Sequence, residues 1–492
     1  MADLPDSLLA EDEHDRRLLE SVHPPDWVNP QPAPCYNLVV IGAGTAGLVT
    51  AAGAAGLGAK VALVERNLLG GDCLNFGCVP SKALIRAARA AAEARAAASL
   101  GVRVGPVEVD FAAVMERVRK LRADISLHDS AARFRDLGVD VFLGGGQFVD
   151  GRTVRVGEQT LRFSKAVIAT GSRAAVPDIP GLAESGFHTN ESIFSLTELP
   201  RRLAIVGGGP IGCELAQAFA RCGSEVTLLQ RGPRILPRDD PEAAAIVTAA
   251  LERDGVAIRT GTSPQAVERL PSGERRISTG DGEPTVVDAI LVAAGRRPNV
   301  AGLSLEAAGV EFDVRRGVQV NRRLRTTNRR IYAAGDVCSE HQFTHVADAT
   351  ARLAIANALF LGRGSVDKLL VPWCTYTDPE VAHVGLSEEQ AAEQGVAVDV
   401  FRQPLAEVDR AVLDSQTEGF LKVVVKRGSD RILGATLVAA HAGEIISELT
   451  AALRAGLGLK GLSGVIHPYP TQAEAIRKAG DAYNRTRTKP WV

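Results

Sequence analysis

The sequence contains no uninterrupted apolar stretch long enough to cross a bilayer, so no membrane-spanning helix is expected. Its most apolar region, Leu38 to Ala62, is broken repeatedly by glycine and reads as strand, turn and helix. No secretory leader is expected either, since Met1 to about Pro34 is acidic and then Pro-rich, without an apolar core. Neither sign of charge is in surplus, with 56 basic against 58 acidic residues. That balance gives no electrostatic reason to expect nucleic acid or an anionic membrane as partner. Cysteine is scarce, and seven at irregular spacings do not make a secreted disulfide framework. They suit a reducing cytosol in which one pair is catalytic, so a cytoplasmic location is expected and no resident metal. At 492 residues the chain is too long for one core and predicts three or four units, and its 49 glycines predict tight turns and close helix–sheet packing.

The cysteine pair stands in Gly70-Gly71-Asp72-Cys73-Leu74-Asn75-Phe76-Gly77-Cys78-Val79-Pro80-Ser81-Lys82, just before an Ala-rich helical run. Thiols at this spacing can close a small ring at a helix N-terminus, and Pro80 suits the first helical position. The helix dipole lowers the pKa of Cys78 and favours its thiolate. Such a pair is suited to reversible reduction; a metal half-site or two buried thiols are the plainer alternatives.

Two segments read as copies of strand, Gly-x-Gly-x-x-Gly, helix, strand. One carries Gly42, Gly44 and Gly47 and ends its second strand at Glu65; the other carries Gly207, Gly209 and Gly212 and ends at Gln230 and Arg231. In each, the first glycine permits the turn, the second admits a pyrophosphate, and the third packs helix on strand. The helix N-terminus then binds phosphate charge. Glu65 can accept from both ribose hydroxyls of an adenosine, which suits FAD. Gln230, Arg231 and Arg234 replace the carboxylate that would repel a 2′-phosphate, which suits NADPH better than NADH.

Ala83 to about Leu137 reads as a helical insertion. Buried strands then end at Thr170-Gly171 and Gly295, and another leads into Gly335-Asp336, where Asp336 can bond a ribityl hydroxyl. A helix from about Phe343 through His345 can aim its N-terminus at the flavin pyrimidine edge. From about Val371 the pattern becomes antiparallel β plus helices. The fold class expected is α/β: two Rossmann-like dinucleotide-binding domains and a C-terminal α+β dimerisation domain. The expected boundaries are 1–35 for an N-terminal extension, 36–187 and 308–370 for the FAD-binding domain, 188–307 for the NAD(P)H-binding domain, and 371–492 for the interface domain.

From about Tyr36 to Ala482 the chain resembles the class I pyridine nucleotide-disulfide oxidoreductases, closest to mercuric reductase-like members. The resemblance is carried by the cysteine motif, both fingerprints, Ala-Thr-Gly-Ser, Gly-Arg-Arg-Pro-Asn and Ala-Ala-Gly-Asp. It implies a homodimer with one FAD per subunit, Cys78 as the thiolate against the flavin and Cys73 as the thiol that meets substrate. Gly71 and the fingerprint glycines would line the cofactors. Lys82 and Glu214 resemble the family ion pair beside the flavin, which favours hydride arrival.

The departure is near the C-terminus, where His467-Pro468-Tyr469-Pro470-Thr471-Gln472-Ala473-Glu474 sets Tyr469 on the family's catalytic His and Glu474 on its Glu. A phenol with a reference pKa near 10 is a poor base at neutral pH. His467 can substitute, but in an extended segment it points to the opposite face. Tyrosine here is similar to mercuric reductase, yet the final Thr486 to Val492 lacks that enzyme's cysteine pair, and no N-terminal Cys-x-x-Cys is present. The expected reaction passes electrons from NADPH through FAD and Cys73–Cys78 to a small disulfide or soft electrophile. A mercuric or other metal-ion reductase, dihydrolipoamide dehydrogenase, and a vestigial flavoprotein scaffold whose N-terminal extension docks a partner are the alternatives. Cys35, Cys213, Cys222 and Cys338 read as small buried residues, and Cys374 as a candidate for the substrate cleft.

Overall fold

The computed structural model describes residues 12–280 and 282–487. Two compact units divide the chain: Met1–Pro200, Glu268–Arg275 and Asp288–Leu369 form the first, and Arg201–Val267, Arg276–Val287 and Leu370–Val492 the second.

The first unit is built on a parallel sheet. Strands β1 (Tyr36–Ile41), β2 (Val61–Glu65) and β3 (Asp140–Leu143) lie in the order β3-β2-β1, and β1 pairs on its other side with β6 (Gln159–Ile168). The strand Ile331–Ala333 adds in parallel beyond β6. The first half of β6 instead closes an antiparallel meander with β4 (Gly146–Asp150) and β5 (Thr153–Val156). Alternate residues of the parallel strands point into two separate cores. Leu38, Val40, Leu63, Val141 and Val167 belong to one. Val39, Ile41, Ala62, Val64, Phe142, Ala166 and Ile168 belong to the other. Burial on both faces is why these strands read as continuous apolar runs rather than alternating ones.

Five helices of this unit bear on the site: α1 (Glu13–Val22), α2 (Thr45–Gly56), α3 (Gly71–Asn75), α4 (Cys78–Ala96) and α5 (Phe111–Ser126). The helical insertion is thus present as several pieces. The described residues of the N-terminal extension, from 12 onward, are part of the fold. Leu18 and Val22 of α1 are fully buried in the core beside α2, each contributing about 1.5–3 kcal/mol. Beyond α1, Asn29 makes two hydrogen bonds to the backbone of Leu143 (2.9 and 2.7 Å) and Trp27 donates to Val141 O at 3.2 Å. That stretch covers the outer edge of β3, an edge otherwise open to pairing.

The second unit holds the other fingerprint. Arg202–Val206, Glu225–Gln230 and Ala257–Thr260 pair in parallel, with the helix Pro210–Cys222 crossing from the first to the second. Its C-terminal part is an antiparallel sheet in the order 372–375, 380–385, 432–439, 420–426, 398–404, backed by the helices Ala442–Ala455 and Glu474–Arg485. Among the described residues no helix is long and apolar enough to cross a membrane.

Candidate active site

The cysteine motif sits directly on the first fingerprint. Gly70 and Gly71 adopt left-handed φ of 85° and 58°, and Gly70 N–H donates to Ala43 O at 2.9 Å. A Cβ on Gly71 would lie 2.6 Å from the Cα of Gly44, so only glycine lets the two loops touch. This contact places Cys73, in α3, and Cys78, the first residue of α4, at the nucleotide loop. The helix begins at Cys78, two residues earlier than Pro80 suggests. Pro80 is tolerated because first-turn N–H groups have no intrahelical acceptor. Starting the helix at Cys78 puts that thiol itself at the positive end of the dipole.

Both cysteines are unbonded thiols, Cys73 partly buried and Cys78 exposed. The Cys73 S–H donates to Cys78, and this hydrogen bond is the main reason that the Cys78 thiol is pulled down to about 6. Thr344, whose Oγ1 is 3.4 Å from Cys78 Sγ, and the charge of Lys82 on the same face of α4 act in the same direction. Cys73 is pushed up, first because its proton is held in that bond and then by burial. The two shifts are opposite in direction, which favours the thiolate at Cys78 over Cys73.

Around it lies a polar network that motif reading did not single out. Arg296 donates to Ser172 Oγ (2.7 Å) and Ser172 O (3.0 Å), and lies 3.1 Å from Asp72. Ser172 donates to Asp336 at 2.7 Å, while Asn190 donates to Asp72 at 2.7 Å. The residue adjacent to Cys73 is thus tied to Asp336, whose carboxyl is pushed up by burial. Thr170 Oγ1 donates to Asn299 O at 2.7 Å, and Gly171 turns with φ of 67°. Gly295 (φ 117°) and Gly335 (φ 77°) also turn in the left-handed region. His345 lies in the first turn of the helix Thr344–Leu359, its ring stacked 5.3 Å from that of Phe343.

The residues at both fingerprints fit a dinucleotide. No side chain caps α2 or the helix Pro210–Cys222, whose N-caps are Gly44 and Gly209; their first N–H groups are suited to phosphate oxygens. A Cβ on Gly209 would meet nothing within 4 Å, so a ligand can reach the backbone there. Cβ atoms on Gly47 and Gly212 would instead lie 1.8 and 1.9 Å from the carbonyl oxygens of Gly42 and Gly207. The turn at Gly42 has φ of 99° and that at Gly207 117°. Glu65 is buried at the end of β2, accepting from Ala43 N–H (2.6 Å) and Asn67 N–H (2.7 Å). Burial pushes its carboxyl up while those bonds oppose the shift; each oxygen keeps a lone pair for a ribose hydroxyl. At the second fingerprint Gln230 Oε1 accepts from Gly208 N–H at 3.0 Å, and Arg231 is exposed beside it. Arg234 faces Glu389 at 3.5 Å.

Lys82 and Glu214 lie in different units; Glu214 is buried and accepts from Tyr376 N–H at 2.9 Å. Tyr469 is 70% exposed. Its phenol donates to Asp409 at 2.9 Å, which pushes its pKa up. Glu474 is paired with Arg477 at 2.5 Å and keeps Oε2 as a buried acceptor with no partner among the described residues. His467 is held by Glu448 at 2.9 Å. Cys35 is exposed, contrary to its reading as a buried residue, because it precedes β1 where the strand has not yet entered the core. Cys213 and Cys222 are buried, Cys374 and Cys338 partly so; burial pushes the Cys338 thiol up to about 12. Among the described residues no cluster of three His, Cys, Asp or Glu can hold a metal ion.

Residues 36–351 match the pyridine nucleotide-disulphide oxidoreductase family, and residues 371–480 match its dimerisation domain. Mercuric reductase of Staphylococcus aureus is 37% identical over 456 residues, covering 92% of this chain and 83% of that protein. Dihydrolipoyl dehydrogenase of Thermus scotoductus is 37% identical over 465 residues, covering 92% and 98%. Among solved structures, the HOCl-induced flavoprotein disulfide reductase RclA from Escherichia coli aligns with a TM-score of 0.82 at 31% identity, covering 91% of this chain and 99% of that one. Its Cu(II) complex aligns with a TM-score of 0.81 at 31% identity, covering 90% and 98%. The chain therefore belongs to the pyridine nucleotide-disulphide oxidoreductases, and is an oxidoreductase of a family that works with FAD and NAD(P)H.

Proposed function

We propose that this protein takes electrons from NADPH and delivers them, by way of FAD and the Cys73–Cys78 pair, to a small disulfide or another soft electrophile. The observation that carries the reading is geometric: Cys73 in α3 and Cys78 at the first position of α4 are held against the first fingerprint by the contact of Gly71 with Gly44. FAD, when bound, supplies the two-electron link between the nicotinamide and the thiols. As Cys73 attacks a disulfide R–S–S–R′, its proton passes to Cys78, a mixed disulfide Cys73–S–S–R forms, and R′S⁻ leaves. Cys78 then attacks Cys73, the internal disulfide closes, and RS⁻ leaves with the proton as RSH. The substrate has gained two electrons and the pair has lost two.

In this reading residues 36–187 with 308–370 hold FAD, 188–307 hold NADPH, and 371–492 form the interface of a homodimer. Glu474 Oε2 offers a buried acceptor in that last segment. A second reading, a metal-ion reductase, is favoured by Tyr469. Its phenol is pushed above the usual range by Asp409 and does not suit the protonation of a leaving thiolate. The mercuric reductase relatives and the Cu(II) complex of RclA point the same way. Two thiols at Cys73 and Cys78, once Cys73 gives up its proton on binding, suit soft-metal capture.

Anaerobic NADPH followed by iodoacetamide tests the first step: two carbamidomethyl groups are expected on Cys73 and Cys78, and none on either without NADPH in the oxidised protein. Equal labelling with and without NADPH would remove the pair from the electron path. NADPH oxidation with low-molecular-weight disulfides, lipoamide or Hg(II) as acceptor separates the two readings. For the nucleotide, Arg231→Glu is expected to raise KM for NADPH by roughly tenfold to a hundredfold while leaving KM for NADH within about twofold, because a charge-assisted phosphate contact becomes a repulsion. Parallel changes in both constants would remove Arg231 from 2′-phosphate recognition.

A further inference from the structure

The N-terminal helix is tied to the cysteine turn through a buried ion pair. Arg122 of α5 is 1% exposed and Asp15 of α1 is 3% exposed by side chain, with 2.5 Å between them. The other end of the same guanidinium, Nη1, donates to the backbone carbonyl of Asn75 at 3.0 Å. Asn75 is the last residue of α3, the five-residue helix that carries Cys73. Its side chain closes the other end of that helix, donating to Leu69 O (3.0 Å) and Gly71 O (2.8 Å). So short a helix has almost no internal hydrogen bonds to hold it, and its geometry depends on what grips its ends. One end is held by Gly70 and Gly71 against the fingerprint loop and the other by Arg122.

The pair is set in a register, not an isolated contact. Asp12 bonds Arg119, Asp15 bonds Arg122 and Arg17 bonds Asp124, all three with the same sequence offset of 107. A constant offset means that α1 lies beside α5 in the same direction, so the whole helix aims Asp15 at Arg122. A buried ion pair is a poor way to gain stability, since apolar residues of similar volume do as well or better. What only this pair supplies is a fixed fork, with one arm on a carboxylate and the other on a carbonyl two residues from Cys73.

We propose that α1 is a support of the redox turn: Asp15 and Arg122 are positioning residues that fix the Asn75 carbonyl and so keep Cys73 aimed at Cys78. The proposal rests on the reading of Cys73–Cys78 as the working pair. It makes the segment before the first fingerprint a functional part of the site rather than a docking arm.

The test is the pH dependence of Cys78 alkylation in the NADPH-reduced holoprotein, with bound flavin and melting midpoint as controls for folding. Around Cys78 stand Cys73 and Asp72 from the α3 turn, Lys82 on α4 and Thr344 at the start of its helix. None of these is altered by the variants. The wild-type midpoint is expected at about 6. In Arg122→Lys, which keeps the charge but loses the fork, and in Asp15→Leu/Arg122→Met, which removes both charges, the Cys73 hydrogen bond loosens. The midpoint should rise by about one unit, and alkylation at pH 6 should slow about fivefold. Arg17→Ala, on the exposed side of α1, should leave it in place. Unchanged midpoints in folded Arg122→Lys and in the double variant would overturn the proposal. A wild-type midpoint in the ordinary thiol range would instead overturn the reading of the pair, and this proposal with it.

Discussion

Replacing Cys78 with serine should lower NADPH-dependent turnover of any disulfide acceptor by about 10³-fold or more, as removal of a group acting in a catalytic unit does. The protein should keep its flavin and its fold, because Cys78 is exposed and its neighbours hold α4 without it. Cys73 can still attack, but the mixed disulfide then has no second thiol to resolve it, and the reaction should stop after one turnover with substrate bound covalently to Cys73. Mass spectrometry of the stalled protein reads this directly; sustained turnover by Cys78→Ser would remove the pair from the mechanism. Cys73→Ala gives the complementary result. The largest cause lowering the Cys78 pKa is the hydrogen bond from Cys73, so its loss should move the Cys78 midpoint upward from about 6 toward the ordinary thiol value. The sign follows from which form the bond favours: a donor to sulfur stabilises the thiolate, and removing it extends the protonated form to higher pH. At pH 6 alkylation of Cys78 should therefore slow, while well above pH 9 the two proteins should react alike.

The parts of this site that were legible in the sequence are those whose chemistry is local. Gly42, Gly44 and Gly47 must recur at that spacing because turn, phosphate approach and helix packing each need an absent side chain within one βαβ unit. Cys73, Cys78 and Lys82 are likewise neighbours along one chain segment. Thr344 was not legible as a partner of Cys78: its helix start is marked in the sequence, but it reaches that thiol across a separation of 266 residues. Arg296, Ser172 and Asp72 join only when three strand ends and α3 converge, so the Gly-Arg-Arg-Pro-Asn motif gave the residue without its partners. The packing of the N-terminal extension was only partly legible: Asp12 and Asp15 carry the same three-residue step as Arg119 and Arg122. That matching of charge at helical spacing was the available signal. Tyr469 reads in the sequence as a poor base, but its bond to Asp409, the first residue of the helix Asp409–Leu413 and 60 positions away, has no sequence signal.

Gly47→Val should be the most damaging single substitution in the first unit outside the cysteines, and the reason is a distance. A Cβ at this position would lie 1.8 Å from the carbonyl oxygen of Gly42, well inside any real contact. That oxygen belongs to the backbone of the turn between β1 and α2, so no rotamer can relieve the clash. Either α2 moves off the sheet or the turn at Gly42 opens, and Gly42 has little room of its own, since a Cβ there would lie 2.4 Å from the carbonyl oxygen of Ala169, just past the end of β6. Overpacking of this kind costs about 1–3 kcal/mol even where side chains can adjust; here only backbone can move, and the upper end or beyond is expected. Because the displaced N–H groups are those at the N-terminus of α2, the same movement removes the phosphate site. The variant should purify without flavin absorbance and melt several degrees lower, by roughly 2–4 °C for each kcal/mol lost. Gly56→Ala in the same helix provides the opposite case, since a Cβ there meets nothing within 4 Å. It should retain flavin and gain stability by about 0.5–1 kcal/mol from reduced chain freedom. Two substitutions of glycine in one helix would then differ in sign because one touches the fingerprint turn and the other touches solvent. A Gly47→Val protein that keeps stoichiometric flavin would show that the turn can yield without losing its ligand, and would shift the origin of tight binding from the loop to Glu65.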